Sequence, residues 1–111
     1  MKSPFHRWER RRLPRFVVEQ LVSLTIHEDT PHQTTGTCRD VSTGGMFCLV
    51  NLKVSTGAKI DFLLNLPSEA MLVQPVRLRG TGQVVRVSFD APEKRYGLGI
   101  RFDSVQLAPN R

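Results

Sequence analysis

The chain has 111 residues, 23% of them charged and 40% hydrophobic, which is enough to close one core without metal or disulfide staples. It carries a net charge of +6, and residues 1–15 hold six cations (Lys2, Arg7, Arg10, Arg11, Arg12, Arg15) against the single acid Glu9, so five of the six net charges sit in a short leader. A concentrated basic arm on a nearly neutral body points to local capture of an anion rather than a globally basic nucleic-acid surface. No apolar run approaches the roughly 18 residues of a membrane span, and the arm is not followed by a signal-peptide core, so a soluble cytoplasmic protein is expected.

After the arm, Phe16, Val18, Val22, Leu24 and Ile26 share one parity opposite Glu19, Ser23 and Thr25, the pattern of a half-buried strand. Residues 27–33 are polar with a proline and predict a turn, followed by a short threonine-rich strand over 34–39. Residues 40–45 predict a tight connection in which Gly44 and Gly45 allow backbone angles closed to other residues, and residues 46–50 a third strand. Beyond a loop over 51–58, Ile60, Phe62, Leu64 and Leu66 alternate with Lys59, Asp61, Leu63 and Asn65 as a fourth strand. Residues 76–89 read as a long fifth strand with Gly80 and Gly82 at a bulge or coil, and residues 95–102 alternate as a sixth.

Six strands with short turns and no helical pattern of ten residues predict an all-β fold, a six-stranded antiparallel barrel spanning residues 16–103. The arm over 1–15 is expected to be flexible. Residues 104–111 are expected as a short, frayed tail with room for at most one or two helical turns before Pro109. Cys38 and Cys48 are too few for a zinc site and read as small buried side chains, which lie near each other if their segments form a hairpin.

Two segments carry chemistry. Arg10, Arg11, Arg12 and Arg15 offer planar forks that bind phosphate bidentately, stack on a purine, or reach guanine O6 and N7. Asp40 can accept from guanine N1–H and N2–H, Ser42 can donate, and the glycines let a ligand approach the backbone. Each alone has a plainer reading, a solvated tail or a serine turn, but together they supply donors and an acceptor for opposite edges of one base. His6, His27 and His32 fall in the arm and a polar turn with no nucleophile or second carboxylate beside them, so no enzyme activity and no metal or cofactor is expected.

In these segments the sequence resembles the PilZ domain family, described by Arg-x-x-x-Arg before the first strand and Asp/Asn-x-Ser-x-x-Gly after the second. Arg11 and Arg15 match the first motif, and Asp40, Ser42 and Gly45 the second, with Gly36 upstream and Gly99-Ile-Arg-Phe102 closing the match. The resemblance implies a receptor for the bacterial second messenger cyclic di-GMP, with Arg11 and Arg15 on phosphate and guanine, Asp40 and Ser42 on the other face, and Gly45 in the turn. Arg10 and Arg12 would add contacts, with Arg86 a weaker candidate. The arm would order over the ligand and create a surface for a downstream protein partner. The alternatives are a ligand-independent PilZ-like adaptor and a small basic barrel for single-stranded nucleic acid. The latter is disfavoured because Phe47, Phe62, Phe89, Tyr96 and Phe102 mostly fall at core parity.

Overall fold

The computed structural model describes residues 16–66 and 76–109, which form six strands. They are β1 (Phe16–His27), β2 (Pro31–Val41), β3 (Gly45–Val50), β4 (Lys59–Leu66), β5 (Val76–Asp90) and β6 (Arg95–Pro109). The basic arm over 1–15, with Arg10, Arg11, Arg12 and Arg15, lies outside the described residues. All neighbouring strands are antiparallel, and the order β1-β2-β3-β6-β5-β4 closes on itself.

Closure rests on β1, whose residues Val22–His27 pair with β2 on one edge and β4 on the other. With both edges satisfied there, the ladder leaves no break between the two ends of the sheet. The alternating pattern does the rest: Val22, Leu24, Ile26, Ile60, Phe62, Leu64 and Leu66 turn inward and are buried, joined by Cys38, Met46, Cys48, Val84, Leu98 and Ile100. Phe62 and Phe102 stack inside with ring centroids 4.8 Å apart, while Phe89 is 57% exposed and meets Tyr96 edge-on. Phe89 thus departs from the core position its parity predicted, because it sits near the tip of the β5–β6 hairpin, beyond the barrel wall.

Three strand boundaries differ clearly from expectation. β2 runs on to Val41 and β3 starts at Gly45, so the connection expected over 40–45 is only residues 42–44 and Asp40 is a strand residue. β2 begins at Pro31, since Ile26 pairs with His32 and His27 with Pro31, leaving only Glu28-Asp29-Thr30 as the turn. β6 runs on to Pro109 along β5, with Val105 opposite Gly80 and Leu107 opposite Leu78. Residues 104–109 are therefore strand, and the expected frayed or helical tail is corrected. The long β5 offers a hydrogen-bonding edge that Ser104-Val-Gln-Leu107 can follow in alternation, and a single helical turn could not compete.

The glycines of β5 and the second motif act by closeness. A Cβ on Gly82 would lie 2.6 Å from the Arg101 carbonyl oxygen, and one on Gly80 would collide with that of Ser104. Likewise a Cβ on Gly45 would collide with the Ile100 carbonyl, and Gly45 does not take a positive φ. Its expected role as a residue of unusual backbone angle is corrected: it lets β3 approach β6. Among the described glycines, the left-handed angle belongs to Gly57, at φ +97° with nothing near its missing Cβ.

Cys38 and Cys48 form no disulfide, are fully buried and lie directly opposite each other in the β2–β3 register. Burial, reinforced by the neighbouring Cys38 and opposed by Arg95, pushes the Cys48 thiol up from 9.0 to about 12. Between those values the unfolded chain loses this proton while the folded one keeps it, so stability present below pH 9 falls as the pH rises towards 12. Denaturant titrations should show Cys48→Ala losing less stability than the parent between pH 9 and 11. At neutral pH, Gly45→Ala should cost about 2 kcal/mol or more through backbone overpacking, and Gly57→Ala only about 1 kcal/mol through its φ alone, both read from urea midpoints.

Candidate functional site

A bulge decides where the second motif faces. Cys38 pairs with Cys48 and Asp40 with Phe47, so β2 spends two residues against one of β3. Without that extra residue, Asp40 would share the inward parity of Cys38. With it, Val41 turns inward at 2% exposure and Asp40 lies half-buried on the outer wall.

The register extends Asp40 into a row across five strands: Val17 on β1, Asp40 on β2, Phe47 on β3, Gly99 on β6 and Arg86 on β5. Phe47, like Phe89, departs from the core parity expected of these aromatics: it alternates with the buried Met46 and Cys48 and projects outward, its ring covering Gly97, where a Cβ would sit 2.6 Å from the ring. The Arg86 side chain lies over Gly99, with its guanidinium nitrogens 3.8 and 3.9 Å from where a Cβ would be. Gly97 and Gly99 therefore form a low shelf, with an aromatic ring on it, an acid at one end and an arginine at the other.

Neighbouring arginines of this wall are held in place. Arg39 pairs with Glu19 at 2.6 Å and Glu93 at 3.6 Å, and Arg95 donates to Thr37 Oγ1 at 3.1 Å and to the Leu49 carbonyl at 3.0 Å. Arg86 is exposed and makes no ion pair or hydrogen bond among the described residues.

Ser42 is placed differently from a ligand donor. It is buried, its amide donates to the Gly45 carbonyl at 2.8 Å, and its hydroxyl accepts from the Gly44 amide at 3.2 Å. The hydroxyl also approaches the Gly45 carbonyl at 3.5 Å. This is the serine-turn reading: Ser42 staples the three-residue link between β2 and β3. The link is further tied to β6 by the Phe102 amide, which donates to the Gly44 carbonyl at 2.9 Å.

Of the predicted residues described, the structure thus brings Asp40, Ser42 and Gly45 to one corner, with Asp40 facing out and the other two shaping the turn. β1 begins at that corner, since Phe16 pairs with Val41 and Val17 with Asp40. The shelf of Phe47, Gly97 and Gly99 was missed as a site in the sequence. Its signal is the outward parity of Phe47 opposite alternating glycines, legible only once β3 and β6 are known to pair. Two shallow concavities of about 450 and 540 Å³ lie elsewhere, on the outer β1–β2–β4 wall and at the His27–Thr30 turn, and neither includes Asp40. Among the described residues, no three metal-ligating side chains converge, and no helix is long and apolar enough to cross a membrane.

A closed six-stranded antiparallel barrel with an outward acid, two glycines on the same wall and a stapled turn at the corner where β1 begins is a β-barrel module. The chain belongs to the PilZ domain family, whose profile matches residues 9–111. No curated protein sequence matches it. Among the solved structures that share the fold are the Bacillus subtilis inhibitor of motility MotI/DgrA (TM-score 0.63, 14% identity, 86% of this chain and 44% of that one) and the PilZ domain of YcgR from Escherichia coli with c-di-GMP (TM-score 0.61, 18% identity, 86% and 79%). The chain therefore spans less than half of MotI/DgrA.

Because the Ser42 hydroxyl bonds within the turn, Ser42→Ala should lower stability by about 1 kcal/mol, measured by thermal or urea unfolding in the absence of any ligand.

Proposed function

We propose that this chain is a receptor for cyclic di-GMP and not an enzyme, the ligand being held on the outer wall between the Asp40 row and the cationic arm. The observation carrying this reading is the pairing of Phe16 with Val41 and Val17 with Asp40, which starts the strand that follows the arm at the second motif. Arg15 is covalently next to Phe16, so the arm begins where the acid lies.

The chemistry follows from the groups available. Asp40 accepts from the N1 and N2 hydrogens of a guanine, and Arg11 and Arg15 supply forks for phosphate and for O6 and N7, with Arg10 and Arg12 adding positive charge. Phe47, its ring laid over Gly97, offers its outer face for stacking on a base. Arg86 closes the far end as a second phosphate or base contact. Ser42 and Gly45 serve by holding the corner in shape. In the absence of ligand the clustered arginines repel one another, and a doubly anionic ligand removes that repulsion, so the arm closes over it. The ordered arm and ligand together form the surface a downstream protein reads, in the bacterial cytoplasm. The family membership and the c-di-GMP in the YcgR structure support this reading.

Calorimetric titration tests it. The parent should bind cyclic di-GMP and reject cyclic di-AMP, and Arg15→Ala and Asp40→Ala should each lose about 2 kcal/mol, roughly thirtyfold. Arg86→Ala should lose about 1 kcal/mol, and Trp8 fluorescence should change on ligand addition. Equal binding of the two dinucleotides, or no heat with cyclic di-GMP, would overturn the assignment.

A further inference from the structure

The barrel is closed over only part of β6. Its residues Tyr96–Arg101 are paired on both sides, with β3 and β5, and the Phe102 amide bonds to Gly44, but from Asp103 to Pro109 only β5 is a partner among the described residues. The opposite edge of this segment presents a row of backbone donors and acceptors, and Val105 and Leu107 are 38% and 65% exposed on its inner face. Unpaired strand edges are normally blunted by charge, proline or a bulge. The other stretches paired on one side among the described residues each carry a blunting residue, Glu19 in Phe16–Leu21, Pro31 in Pro31–Gly36 and Arg86 and Asp90 in residues 85–90, whereas Ser104–Ala108 carries no charge and the adjacent Asp103 is neutralised by Lys59 at 3.4 Å.

We infer that the β6 edge from Ser104 to Ala108 is a homodimer interface, in which two copies pair their edges antiparallel about a two-fold axis through Gln106. The occupant is argued from self-complementarity. In that register Val105 of one copy lies opposite Leu107 of the other, twice, and Ser104 lies opposite Ala108. The Gln106 amides meet across the axis on the opposite face, where each has a donor and an acceptor to offer. No like charges oppose one another, and the apolar pairs continue the face on which Leu107 already adjoins Leu78. Moving the axis to Val105 would set Leu107 opposite the charged Asp103, and moving it to Leu107 would set Val105 opposite Pro109, so either shift loses this match. The result is one sheet running through both barrels, an isologous contact that closes and cannot propagate into fibres. A five-residue edge is small beside the ~1,600 Å² of a standard interface, so the association is weak and depends on protein concentration.

The test uses the full chain without nucleotide, so its outcome is independent of the ligand assignment. Sedimentation equilibrium should show the mass rising from 12.6 kDa towards twice that value at high micromolar protein, and the exposed substitutions Val105→Lys and Leu107→Lys together should weaken association at least tenfold. Register is tested by mild oxidation. Paired Cα atoms lie about 4.5–5.5 Å apart, within disulfide reach, so Gln106→Cys should give a covalent dimer. The two copies of residue 104 would be offset by four residues, about 13 Å, so Ser104→Cys should crosslink at least tenfold more slowly. The native Cys38 and Cys48 are buried and do not compete. A monomer at every concentration, unchanged association of the lysine variant, or equal crosslinking at 104 and 106 would each overturn the interface.

Discussion

The whole arrangement hangs on the double pairing of β1. Its second half bridges β2 and β4 and makes the sheet a barrel, while its first half has only the end of β2 as a partner among the described residues. One strand thus closes the core and begins at a fixed corner of the wall, beside Val41 and Asp40. Were β1 paired to β4 along its whole length, the start of the strand would be enclosed on both edges and the corner would have no open side.

On the wall that β1 borders, function and packing divide between neighbouring residues. The bulge in β2 sends Asp40 outward and Val41 inward, so an acid and a core residue occupy consecutive positions without conflict. Across β3 and β6 the same division holds: Met46, Cys48, Leu98 and Ile100 fill the interior, and Phe47, Gly97 and Gly99 shape the exterior. Burying an ionised carboxylate among those inner residues would cost several kcal/mol, so the one-residue irregularity is what makes an acid at position 40 compatible with the barrel.

Much of this was legible in the sequence. The strand over 59–66 keeps its expected bounds because its period of two is almost regular, and the arrangement of six antiparallel strands follows from turn signals between alternating runs. Polar strand ends were not legible. His32 and Gln33 are both exposed, and Ser104 to Leu107 alternates too briefly, so neither segment carries a core signal and each is strand only because a neighbour offers an edge. The candidate site was half legible: the two motifs announce themselves, but the outward turn of Asp40 depends on a bulge, and the shelf depends on which strands become neighbours. Neither is encoded in spacing along the chain.

The collision between a side chain at position 45 and the Ile100 carbonyl separates two kinds of information held in a single motif. Its last glycine certifies that two strands can approach, and its serine that the bend between them holds, whereas its first residue alone faces outward with a free choice of chemistry. A homologue could therefore keep the glycine and serine, exchange the acid, and preserve the architecture intact while changing what it recognises or recognising nothing. On the receptor reading proposed above, the identity at position 40 would carry the diagnosis of ligand competence, and the glycine only that of a sound barrel.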